Sequence, residues 1–279
     1  MNGANKMIWE MFKFYFAILL LCHFIGDYYL QTKKMADSKE KDYRKTIIHG
    51  ILYTIPFIIA FAIGAVYLRD WESSTYLFLV LAIASVSHLI IDLIKCRKIK
   101  TDSVKTGNES ERDSEEGNKE YSHDNEKDDS PFLFIADQSA HILILAALAG
   151  IINSNRLYTS IWSSFSEYSE ILYLTLLIIF IMVPASVIFK KIFKKFQPNS
   201  EPSESIKGAG EIIGFLERIL TAVFFIMGEF TAVGFIIAAK SIARYDKISK
   251  DVVFAEYYLI GTLYSILVTV AAFVLLYFL

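Results

Sequence analysis

The chain has 279 residues, 54% of them hydrophobic and 21% charged, with a mean hydropathy of +0.41. That balance excludes an ordinary soluble domain and points to a multi-pass membrane protein. The formal net charge of −2 hides a split: residues 101–130 hold eleven acidic and four basic side chains, so the remainder is basic.

Apolar runs of the length that a hydrocarbon core of about 30 Å demands fall at 10–30, 47–68, 75–95, 132–152 and 170–190. The first is not a cleavable signal, because it lacks a short apolar core followed by a small-residue cleavage site and carries a polar pair, His23 and Asp27. The second opens on His49, the third holds His88 and Asp92, and the fourth holds Asp137 and His141. Polar groups of this kind are costly inside a bilayer, so each marks a functional candidate. Residues four apart share a helix face, which lets each pair aim at one point.

Between the third and fourth runs, residues 97–131 read as a disordered acidic cytoplasmic loop, with almost no apolar surface to offset ordering entropy. His123 falls within it as a solvated bystander. Residues 154–169 read as an interfacial outer loop with Trp162, Phe165 and Tyr168 at headgroup level. A polar linker at 197–210 precedes a region, 210–244, that is interrupted by Arg218, Glu229 and Lys240. A hairpin turning near Gly228 and Glu229 is expected there, because the linker before it and Lys240, Arg244, Lys247 and Lys250 after it all favour the cytoplasmic side. Glu217, Arg218, Glu229 and Lys240 then read as buried ion pairs between helices. A last run covers 256–279.

The fold expected is all-α, a polytopic transmembrane bundle of about 7–8 spanning helices. Residues 1–153 form a four-helix membrane domain and 170–279 a set of C-terminal transmembrane helices. Lysines and arginines at 33–45, 95–100 and 190–195 put those segments inside, and the loop at 69–72 then falls outside. On that topology His23, Asp27, His49, His88, Asp92, Asp137 and His141 all lie within about 15 Å of the cytoplasmic edge, counting about 1.5 Å per residue.

Imidazoles and carboxylates are ligands for Zn²⁺, Mn²⁺ and Fe²⁺, and a set without cysteine suits a catalytic site. The two cysteines, Cys22 and Cys96, form no Cys-x-x-Cys pair, and Cys22 points about 100° away from His23. Seven candidates suggest one or two divalent ions, or one ion with supporting carboxylates. The same residues also suit a proton or ion relay, or a network that only hydrogen-bonds helix to helix. Gln31 and Gln138 flank two of the pairs, where each would orient a ligand or, equally, cap or snorkel at the interface, and Lys95 sits one turn beyond Asp92, where it would meet a phosphate or anchor the inner edge.

His23-x-x-Gly-Asp27-x-x-Leu-Gln31, His49, His88-x-x-Ile-Asp92-x-x-Lys95 and Asp137-Gln138-x-x-His141 resemble a family of bacterial membrane proteins, domain of unknown function 3307. The resemblance implies a domain over about the first 150 residues in a bacterial inner membrane, and implies no activity. By analogy alone, the arrangement is similar in style to metal-dependent hydrolases of the phospholipase C type. The enzyme expectation is a metal-dependent hydrolase acting on a lipid or phosphoester at the cytoplasmic leaflet. Asp27 or Asp137 would then act as general base, and Lys95 would contact the substrate anion. The alternatives are a proton or divalent-cation transporter and a metal-bound sensor. Membrane lipids are the expected partners, and nothing points to nucleic acid.

Overall fold

The structure is a computed structural model that describes residues 3–32, 35, 42–68, 71–115, 131–154, 159–198 and 208–277. Among these the chain is helical without strands, and it divides into two compact units, Met1–Leu172 and Tyr173–Leu279. The division falls later than the boundary near 153 expected from hydropathy.

In the first unit, α1 (Gly3–Phe24) passes into a π-helical segment (Ile25–Tyr29). It is followed by α2 (Tyr43–Tyr67), α3 (Trp71–Glu115) and α4 (Pro131–Ser154). Helix α1 packs on α2 and α4, and α3 packs on α2 and α4, which closes a four-helix ring. The start of α2 is set by Asp42, whose carboxylate accepts from the Arg44 amide at 3.0 Å. In lipid, helices gain no hydrophobic drive to associate, so close packing and polar contacts must hold the ring. Two glycines permit that closeness. A Cβ on Gly26 would lie 2.7 Å from Tyr53 Cδ2, and one on Gly50 would lie 2.7 Å from Leu89 Cδ1. One end of the ring is filled by Phe14, Leu19, Phe57, Leu81, Leu145 and Ile152. The outward face of α2, with Ile47, Ile51, Ile55, Ile58 and Ile63, is exposed and apolar, as a lipid-facing surface requires.

Two expectations for this unit are corrected. Helix α3 runs on to Glu115, so residues 97–115 are helical rather than disordered. An already nucleated helix extends at little cost per residue, and composition alone does not register that. Residues 116–130 lie outside the described residues, and with them His123. The expected interfacial loop is also helical, as α5 (Thr159–Phe165) and a 3₁₀ turn (Ser166–Tyr168). Trp162 packs edge-on against Phe14 at 5.4 Å and Phe165 against Tyr67 at 4.6 Å, which ties this segment to the first unit.

The C-terminal part holds α6 (Ser169–Met182), which crosses the division, then α7 (Pro184–Ile192), α8 (Ala209–Met227), α9 (Phe230–Ala243), α10 (Tyr245–Lys250) and α11 (Val252–Tyr277). The hairpin between α8 and α9 turns at Gly228, as expected. Its φ of 76° is left-handed, and the Gly228 and Glu229 amides return to the Phe225 and Phe224 carbonyls at 3.1 and 2.8 Å. Lys240 pairs with Glu217 at 2.6 Å, but Arg218 makes a different contact from the ion pair expected. Its guanidinium donates to the Ile181 and Met182 carbonyls at 2.5 and 3.3 Å and to Ser186 Oγ at 2.6 Å, at the break before Pro184. Backbone carbonyls freed at a helix break must find donors inside a membrane, and the forked guanidinium supplies them.

Among the described residues, six stretches are long and apolar enough to cross a membrane: Asn5–Tyr29, Tyr43–Tyr67, Trp71–Thr101, Pro131–Ser154, Ile161–Ile192 and Val252–Tyr277. The count of seven or eight included the hairpin arms. Helix α9, at 14 residues, is about 21 Å long and falls short of the core thickness. Helix α8 carries Glu211, Glu217 and Arg218.

Candidate metal centre

All seven polar residues singled out in the first four runs are buried, and they meet inside the four-helix ring. His23 comes from the end of α1 and Asp27 from the π segment, where Gly26, Asp27 and Tyr28 are buried consecutively. A π turn is wider than an α turn and is frequent at functional sites. His49 comes from α2, His88 and Asp92 from α3, and Asp137 and His141 from α4.

The ligand-type atoms form two overlapping triads. In the first, His49 Nε2 lies 3.0 Å from Asp27 Oδ1 and 3.3 Å from His88 Nε2. The third edge, His88 Nε2 to Asp27 Oδ1, is 4.0 Å. A tetrahedral ion with bonds of about 2.0 Å holds its ligand atoms about 3.3 Å apart, so these three nitrogen and oxygen atoms fit one ion with a position left open. Asp92 Oδ2 stands beside them, 3.5 Å from His88 Nε2 and 3.6 Å from His49 Nε2. The second triad is His88, Asp92 and His141, whose ligand atoms also lie within 4.8 Å of one another. These residues approach one another through several atom pairs, His88 Nδ1 to His141 Nδ1 at 3.3 Å, His141 Nε2 to Asp92 Oδ1 at 3.8 Å and His88 Nε2 to Asp92 Oδ2 at 3.5 Å, and an ion seated here would take one nitrogen from each ring.

The remaining residues frame these triads. Asp137 Oδ1 lies 3.5 Å from His141 Nε2, and its other oxygen lies 3.5 Å from Lys95 Nζ. Gln138 ties two carboxylates together, donating to Asp27 Oδ2 at 3.2 Å and to Asp137 Oδ2 at 3.4 Å while accepting from Tyr28 Oη at 2.8 Å. Gln31 makes no hydrogen bond to these carboxylates among those resolved, and its Oε1 is buried. His23 belongs to neither triad; its Nδ1 lies 3.1 Å from Tyr53 Oη and its ring 5.4 Å from that of His141. Cys22 Sγ turns to the Pro56 carbonyl at 3.6 Å, away from the triads.

Tyr53 is the residue that sequence reasoning missed. Its ring stacks on His88 with centroids 3.6 Å apart and planes 4° from parallel. The signal was present, because Tyr53 follows His49 by four residues, the spacing that pairs the other site residues. An aromatic residue in an apolar run does not stand out from its neighbours, so the sequence alone does not single it out.

An all-α membrane bundle with a buried cluster of histidines and aspartates defines the class of this chain. Residues 15–172 match the family described as protein of unknown function, DUF3307. That is more than half of the 279 residues, and the chain belongs to this family. The match ends where the first compact unit ends, and it contains all seven residues of the cluster. Comparison with curated proteins and with solved structures gives no match.

Proposed function

We propose that the chain is a metal-dependent hydrolase embedded in the bacterial inner membrane, cleaving a phosphoester of a lipid or lipid-linked substrate at the cytoplasmic leaflet. The observation that carries this reading is the Asp27, His49 and His88 triad, with separations of 3.0, 3.3 and 4.0 Å, buried among four helices. Zn²⁺, Mn²⁺ or Fe²⁺ suits such a nitrogen and oxygen set. When bound, the ion polarises a phosphoryl oxygen and lowers the pKa of a water.

The chain's own residues divide the remaining work. Asp137 lies in neither triad, so of the two candidate bases it is the one free of the first seat, placed to accept a proton. Lys95, 3.5 Å from Asp137, is positioned to meet a phosphate charge. Gln138 holds Asp27 and Asp137 in register. The lysine and arginine asymmetry of the loops supports the cytoplasmic placement.

The test is turnover by purified protein on phospholipids and lipid-linked phosphates. His49→Ala should abolish most turnover while leaving a folded protein, and Lys95→Ala should raise KM more than it lowers kcat. Folded, active protein without metal would sink this reading.

One observation favours a second reading, a proton relay. Asp27, His49, His88, His141 and Asp137 form a chain with successive contacts of 3.0, 3.3, 3.3 and 3.5 Å. Against transport, this chain runs from helix to helix, and apolar residues such as Leu19, Phe57 and Leu145 fill the ring beyond it. Thr54 and Ser85 there bond only to their own helices. Ion flux in liposomes that fails in Asp27→Asn and Asp137→Asn, without turnover, would favour the relay. Bound metal with neither signal would favour a sensor.

A further inference from the structure

The two triads share His88, and that sharing restricts how they are filled. A neutral imidazole has one nitrogen with a free lone pair, the other carrying the proton. His88 therefore serves one ion at a time, although its Nε2 faces His49 at 3.3 Å and its Nδ1 faces His141 at 3.3 Å. Charge gives an independent count. Asp27, Asp92 and Asp137 bring three negative charges and Lys95 returns one positive, leaving two to be cancelled. One divalent cation brings the cluster to neutrality. A second would leave two positive charges uncompensated inside a bundle within the membrane, where unbalanced charge is expensive.

We infer that the centre holds a single divalent ion, for which Asp27/His49/His88 and His88/Asp92/His141 are alternative seats joined at His88. Asp92 links the two seats, with one oxygen 3.6 Å from His49 Nε2 and the other 3.8 Å from His141 Nε2. An ion passing from one seat to the other keeps both His88 and Asp92 beside it. This inference rests on the metal-binding reading, and the experiment separates the two.

The full chain, solubilised in detergent and stripped with a chelator, is titrated with Zn²⁺ and, separately, with Mn²⁺, and bound metal per chain is measured by elemental mass spectrometry. One equivalent at saturation is expected. His88→Ala should lose the ion, since it belongs to both seats. His49→Ala and His141→Ala should each still bind one equivalent through the other seat, with affinity weakened about 10–100-fold, as for loss of a supporting residue. The double variant should bind none. Two equivalents in the unsubstituted protein, or exchange-coupled Mn²⁺ by electron paramagnetic resonance, would overturn the single-ion inference while keeping the metal reading. No metal in folded protein would overturn both. Complete loss of metal in His49→Ala alone would overturn the second seat, and complete loss in His141→Ala alone would overturn the first. Should His49→Ala elute as an aggregate, Asp27→Asn, which keeps the side-chain shape in the same triad, takes its place.

Discussion

Tyr53 holds two imidazoles by two different means: its hydroxyl reaches His23 Nδ1 at 3.1 Å, and its ring lies flat on His88 at 3.6 Å. The two contacts come apart experimentally. Tyr53→Phe keeps the stack on His88 and removes only the hydroxyl beside His23, which lies outside both triads, so metal affinity and melting temperature should both stay close to the original; a loss of affinity of about tenfold would place His23 among the ligands. Tyr53→Ala also empties a space beside Gly26 and should cost about 3 kcal/mol, read from a detergent melting curve. Equal loss of stability in both variants would show that the hydroxyl serves packing alone. At this scale the ionisable residues were legible because charge stands out in an apolar run. An aromatic ring in the same run is the expected residue there, so Tyr53 drew no notice.

Among the elements, the π segment does most to shape the centre. The Leu30 amide bonds to the Ile25 carbonyl at 3.0 Å, five residues back, so one turn is wider than its neighbours. Deleting Ile25 should close that turn and rotate His23 by about 100° relative to Asp27. Helical circular dichroism should be retained and the first triad disturbed at Asp27, so the ion should bind more weakly; unchanged affinity would show that the wide turn is incidental. The four-residue spacing of His23 and Asp27 suggested a shared face, but nothing in it announces a π turn. Gly26 gave a partial hint, since its missing side chain is what lets this segment approach Tyr53. The run of α3 to Glu115 was hidden for a different reason. Acidic composition disfavours burial, but it does not prevent a helix from continuing into water.

In the molecule as a whole, one compact unit contains the centre and coincides with the end of the family match at residue 172. Hydropathy located the first four helices closely, because the length of an apolar run is set by bilayer thickness. It placed the boundary too early, near 153, because α5 looks like an amphipathic loop until Trp162 is found against Phe14. Hydropathy reports which residues avoid water and carries no record of which helices touch. The convergence of four helices on one centre requires alternate crossings, so cysteines placed at positions 37 and 71 should react with impermeant reagent from opposite sides of the membrane. Labelling of both from one side would contradict the alternation on which the shared depth of the seven residues depends.

The seven residues are spread over the order of synthesis as well as over space. His23 and Asp27 enter the membrane before the chain beyond Pro131, which carries Asp137, Gln138 and His141, has left the ribosome. A carboxylate inside an apolar span is costly to insert, and Asp27 gains its partners in turn: His49 of α2 reaches Oδ1 at 3.0 Å, and Gln138 reaches Oδ2 at 3.2 Å once α4 arrives. Helix α2 supplies an early partner of this carboxylate and α4 a later one, so the centre is completed in steps as the helices arrive. A chain that stops before α4 lacks Asp137, Gln138 and His141, and with them the last side of the centre.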